Sequence, residues 1–140
     1  MEYKRCGKKV LVRIDLGEEI VETLKQLCTS LEIKLGTIQG IGATNKATIG
    51  LINTKTKKYS SIELTGDYEI TCLLGNITTM QKKTYLHLHI TLCNEKNQAV
   101  GGHLTSAVVS ATFEGVIDVL KGEINREYDE TIGINRMKLH

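Results

Sequence analysis

An α/β fold of the α+β kind, an antiparallel β-sheet packed against one main amphipathic helix, is what these 140 residues predict. Three observations carry that reading. Residues 85–93 alternate strictly: Leu86, Leu88, Ile90 and Leu92 take one parity, and Tyr85, His87, His89, Thr91 and Cys93 take the other. Period two over such a run marks a half-buried β-strand. Ile20, Leu24, Leu27, Cys28 and Leu31 recur at helical spacing with Glu22, Lys25 and Gln26 opposite, which makes one clear amphipathic helix. Finally, Trp and Pro are absent and Phe113 is the only Phe, so Leu, Ile and Val must form the core, a composition that favours β packing.

Taken in order, residues 9–16 form a first strand, with Val10, Val12 and Ile14 on one face and Leu11, Arg13 and Asp15 on the other. Asp15 followed by Glu18 resembles a capping box and starts the helix just before Glu18 and Glu19; the helix ends between Ser30 and Glu32. Residues 35–42 carry Gly36, Gly40 and Gly42. No Gly-Lys-Ser/Thr follows, and Asn45 stands where a G-x-G-x-x-G pattern needs glycine. These glycines therefore read as a tight turn, a bulge or a close strand approach. Residues 47–53 and 58–64 are two strands around a polar tip, and Gly66-Asp67 makes another turn. A strand over 68–74 follows, ending at Gly75-Asn76.

A turn at 81–83 leads into the histidine strand. Residues 94–98 form a hairpin loop from which 99–104 returns antiparallel. Residues 105–120 suit a helix at Ala107, Val108 and Ala111 and a strand at Val108-Val109, Thr112-Phe113 and Val116-Ile117. β-branched enrichment and Gly115 favour strand. The tail over 125–140 is polar and weakly patterned, a covering arm or a mobile end. No repeat or linker divides the chain, which reads as one domain over 1–140.

The balance of 18 basic against 16 acidic side chains, net +2, implies no polyanionic partner. No apolar run is long enough to span a membrane, and the N-terminal residues lack the apolar stretch of a signal peptide. Cys6, Cys28, Cys72 and Cys93 are scattered without a Cys-x-x-Cys pair, and read as reduced thiols in a cytoplasmic protein.

Several short motifs follow one another in a specific order. Leu16-Gly17-Glu18 enters the helix, and Gly40-Ile41-Gly42-Ala43 comes after it. Gly66-Asp67-Tyr68-Glu69-Ile70, Gly75-Asn76-Ile77, His87-Leu88-His89 and Gly101-Gly102-His103-Leu104 are next, then Glu114 in the following apolar segment. This set, spread over residues 9–121, resembles the plant-and-prokaryote-conserved (PPC) domain. The resemblance implies a PPC-domain-like sheet packed on the first helix, strand over 108–120, and association into homotrimers through the sheet. In land plants the domain is joined to AT-hook segments that enter A/T-rich DNA. This chain, having no Pro, lacks the Arg-Gly-Arg-Pro core of such a segment, so the resemblance does not extend a DNA partner to it.

Same-face residues two apart on a strand stand roughly 6.6–6.8 Å from one another, close enough for His87 and His89 to converge on one ion. The hairpin return brings His103 alongside them, and Gly101-Gly102 permits close backbone approach. Three imidazoles with one open position is an established zinc coordination set. On the strand pattern alone, polar-face histidines that only hydrogen-bond are the alternative. The resemblance implies metal ligation by His87, His89 and His103, with zinc or another divalent transition metal. Cys93, about 13 Å from His89 along the strand, is too far to join, and His140 has no role.

An open metal position permits hydrolytic or lyase chemistry if a general base stands nearby. Glu69 and Glu114 are the acids of the matched motifs considered for that role, and Glu114 equally suits a trimer salt bridge. The expectation is a metal-holding, homotrimeric binding or regulatory domain for a small ligand or protein partner. The alternatives are a metal-dependent enzyme and, more weakly, non-specific DNA binding through scattered lysines.

Overall fold

Alternation, turns and one apolar helical stripe resolve into eight strands and one helix in the computed structural model, which describes all 140 residues. They are β1 (Glu2–Cys6), β2 (Lys9–Asp15), α1 (Ile20–Ser30), β3 (Gly36–Asn53), β4 (Lys58–Met80), β5 (Lys83–Cys93), β6 (Ala99–Val119), β7 (Arg126–Asp129) and β8 (Ile134–Met137). The architecture is mostly antiparallel sheet with one short helix. The expected main helix is only 11 residues long. Residues 105–119 are strand, as the β-branched pattern favoured.

The six-stranded sheet has the order β1-β2-β6-β3-β4-β5, and a further β5–β6 pairing curls it back on itself. Val10, Val12 and Ile14 of β2 are buried as the alternation predicts. They join one core cluster with Ile38, Leu73, Ile77, Leu88, Phe113 and Ile117, and α1 contributes Ile20, Leu24, Leu27 and Cys28. Each fully buried aliphatic side chain contributes about 1.5–3 kcal/mol, so three such groups and a buried thiol are enough to seat a helix too short to be stable alone.

Three points of the sequence reading are decided by the fold. Of the turn, bulge or close approach left open for Gly36, Gly40 and Gly42, the turn drops out, since they lie at the start of an 18-residue strand. Its glycines serve close approach: a Cβ on Gly40 would fall 2.3 Å from the Phe113 ring. Gly66-Asp67 likewise does not end a strand. The β3–β4 ladder runs from Lys46↔Thr65 to Thr44↔Tyr68, so Gly66 and Asp67 bulge opposite Asn45. Gly66 takes φ +111°, a conformation glycine adopts without strain. On its other edge β3 is irregular against β6 at the same place, and there the Thr44 hydroxyl donates to the carbonyl of Val108 at 2.7 Å. Third, the helix cap is Glu19, not Asp15.

The 125–140 tail proves to be a covering arm. Thr79 N–H donates to the Ile124 carbonyl at 2.9 Å, and the β7–β8 hairpin folds over the β4–β5 end of the sheet. All four cysteines are free. No helix is long and apolar enough to cross a membrane.

With α1 on one face, the other face of the sheet is open. Register aligns Leu11, Val116, Gln39, Leu74, His89 and His103 across it, one cross-strand neighbour after another. The histidines thus stand at the end of a row that begins with exposed apolar side chains.

Candidate metal centre

Parity places Tyr85, His87 and His89 on the open face of β5, while Leu88, Ile90 and Leu92 are buried beneath it. Loop 94–98 closes as the sequence suggests: the Asn94 side-chain oxygen accepts from the Lys96 and Gln98 amides at 3.0 Å each. β6 then returns with His89 directly opposite His103. Gly102 is required at this crossing, because a Cβ there would stand 2.8 Å from the Gly50 carbonyl oxygen of β3. Gly75 does the same on the other side, where a Cβ would fall 2.2 Å from the His87 carbonyl oxygen. Glycines on both flanks let β5 and β6 be drawn in close.

The three rings form a triangle. Centroids lie 5.2 Å apart for His87–His89, 5.2 Å for His87–His103 and 5.6 Å for His89–His103. One donor nitrogen from each lies within 4.8 Å of the other two. Nitrogens bonded to one zinc at ~2.0–2.1 Å would stand roughly 3.4 Å apart, so modest ring rotation suffices to converge them. His87 and His103 are partly buried and His89 is exposed. Burial, then the Arg126 charge, then the other two imidazoles push the His87 pKa down to about 4. His103 is also lowered, by burial and by His89. Both are therefore neutral at pH 7, the form that offers a lone pair to a metal. The donor set fits a zinc-like ion.

Beside the rings runs a groove of about 400 Å³, lined among others by Thr37, Gln39, Leu74, Asn76, His87 and His89. Two residues near the cluster have no motif signal. Tyr59 meets the His103 ring edge-on at 6.0 Å, and its hydroxyl shares a 3.1 Å hydrogen bond with Thr105 Oγ1. Arg126 of β7 lies over the Tyr85 ring, 4.9 Å from its centroid, two residues from His87. In sequence nothing sets it apart from Arg136 and Lys138 of the same polar tail.

The two acids considered as bases are elsewhere. Glu69 pairs with Cys93, roughly 17 Å along β4 from Leu74, the partner of His89. Glu114 pairs with Arg13 and Ile41, eleven residues beyond His103 on β6. Cys93 lies outside the cluster, as expected.

The model of the Plants and Prokaryotes Conserved (PCC) domain matches residues 1–121. The chain belongs to this family. Among solved structures, a candidate DNA-binding protein from Bacteroides thetaiotaomicron is 37% identical with a TM-score of 0.96, the match covering 98% of this chain and 96% of that one. A metal-containing protein from Archaeoglobus fulgidus is 31% identical with a TM-score of 0.87, covering 98% and 96%. A plant- and prokaryote-conserved protein from Pyrococcus horikoshii is 28% identical with a TM-score of 0.86, covering 98% and 93%. No curated protein matches the chain. Within this PCC-domain protein, the family model stops short of β7 and β8, so Arg126 lies beyond it.

Proposed function

We propose that this PCC-domain protein is a single-domain, homotrimeric binding or regulatory protein that holds a divalent transition-metal ion, zinc by preference, on His87, His89 and His103. The observation that carries the reading is the convergence of three imidazole nitrogens within 4.8 Å on a face where two of the rings are held neutral. The metal-containing Archaeoglobus neighbour, 31% identical over nearly the whole chain, supports it. When bound, the ion supplies a Lewis-acid anchor for one oxygen or nitrogen of a small ligand in the adjoining groove. Glu69 and Glu114 are remote and no carboxylate lines the groove, which favours binding over hydrolytic chemistry. The net charge of +2 and the absence of Lys or Arg from the groove lining favour a small ligand over a nucleic acid. The trimer reading draws on the open face, where Leu11, Ile41 and Leu74 are 46%, 60% and 53% exposed.

Elemental analysis of the purified protein after incubation with zinc and dialysis tests the site. We expect one metal per chain in wild type and loss of it in both His87→Ala and His103→Ala. Wild type that retains no metal overturns the reading.

A further inference from the structure

Arg126 is the one charged residue in the buried set, only 8% exposed. It takes part in none of the ion pairs of the chain. Its Nε donates to Thr78 Oγ1 at 2.8 Å, and Nη1 donates to the Asn135 carbonyl at 2.9 Å. A guanidinium offers five N–H donors, so these bonds satisfy less than half of it, and Nη2 has no protein acceptor. Nη2 is not among the buried unpartnered atoms, so this largely buried cation, which has no counter-charge, keeps a free donor edge at the surface. Such a group marks a place where an anion belongs.

Its position relative to the histidines is fixed by the ladder. Thr78 faces Tyr85, and the next pair along the same face is Asn76 with His87. Arg126, seated on Thr78 and Tyr85, therefore stands one strand step, about 7 Å, beyond the histidine groove. Around the groove, Thr37, Gln39 and Asn76 bring polarity but no negative charge. A divalent ion on the three imidazoles and this guanidinium would leave the site strongly positive.

We propose that the groove binds a small oxyanion, with one oxygen at the open metal position and another on the Arg126 guanidinium. The Gln39 and Asn76 amides contact the rest of the ligand. The inference rests on the metal reading above. It makes the C-terminal hairpin, which carries Arg126 and lies outside the family match, part of the binding site. Carboxylate and phosphate share the required chemistry, since both offer two oxygens for such a bridge and both pair well with guanidinium.

Titration calorimetry on the zinc-loaded full chain, with inorganic phosphate in one arm and malonate in the other, tests this and separates the two sources. We expect at least one anion to bind wild type. Arg126→Gln should weaken it by roughly tenfold or more, the scale of a lost charged hydrogen bond, with zinc content unchanged. Arg126→Lys, which keeps the charge, should retain most of the affinity. Asp129→Asn removes the carboxylate that accepts from Arg136 Nη1 at 2.6 Å, so it loosens the same hairpin at a residue that makes no contact with Arg126. It should bind at least as well as wild type. Undiminished binding in Arg126→Gln, or an equal loss in Asp129→Asn, assigns Arg126 a purely structural role and overturns the proposal. Zinc-loaded wild type that binds neither anion overturns it alone. A wild type that holds no zinc overturns the metal reading and this inference together.

Discussion

His87 shows how one residue's surroundings set its chemistry. An ordinary histidine titrates near 6.5, but burial, Arg126 and the two neighbouring imidazoles bring this one to about 4. Between those values the unfolded chain binds a proton that the folded chain refuses, so stability is present above pH ~6.5 and is lost as pH falls toward 4. The metal-free protein should lose about 1–2 kcal/mol across that window, after allowing for solvent screening of a partly exposed ring. Arg126, His89 and His103 face the ring from β7, β5 and β6 and all oppose its protonation. Thermal melts from pH 7 to 4 on apo protein check this, and His87→Asn should flatten the decline. A wild-type melting temperature indifferent to pH over that range would refute it. The histidine set itself was legible residue by residue, because strand parity and a short hairpin are local features.

At the scale of the element, α1 illustrates a pattern read correctly and a boundary misread. The apolar spacing picked out Ile20, Leu24, Leu27 and Cys28, which are the residues buried. Half of the expected capping box does form: the Glu18 carboxylate accepts from the Asp15 amide at 2.8 Å. The Asp15 carboxylate, however, accepts from Arg13 Nε at 2.8 Å, and Glu19 caps instead. Glu19 accepts from the amides of Val21 at 3.1 Å and Glu22 at 2.6 Å. It also accepts from Ala107 N–H on β6 at 2.8 Å, so one carboxylate caps the helix and pins it to the sheet. Glu19→Ala should cost about 1–2 kcal/mol in urea unfolding, the range of a lost cap, and Glu19→Gln less. An unchanged midpoint for Glu19→Ala would show the cap to be dispensable. No sequence rule could choose Glu19, because its third partner is 88 residues away.

Across the whole molecule, the open face is the feature with the widest consequence. Leu11, Val116 and Leu74 fall in one cross-strand row and Ile41 stands beside it, with Arg13 and Glu114 adjacent. Such a surface of mixed charge around an apolar centre suits contact between copies of the chain. If the proposed trimer uses it, Ile41→Lys should leave a monomer by light scattering, without loss of the far-UV signature of the sheet. Wild type that scatters as a monomer at tens of micromolar would remove the trimer. Because Leu74 also lines the histidine groove, the same variant should be titrated with zinc to learn whether assembly and metal occupancy are coupled.

Period-two alternation, one helical stripe and a polar five-residue loop were enough to place the strand pair and bring His87, His89 and His103 together. Those signals depend only on contacts near in sequence. Tertiary structure decided the rest. The bulge at Gly66 keeps β4 running where the glycine alone resembles a stop, since the continuing ladder with β3 outweighs a local turn preference. Tyr59 reaches His103 only because β3 and β4 form a long hairpin that lays Gly50 between them. Arg126 reaches the groove only because a weakly patterned tail pairs with itself and folds over Thr78 and Tyr85. Contacts between residues dozens of positions apart leave no periodic trace in the chain, so the three histidines were readable from sequence and their electrostatic surroundings were not.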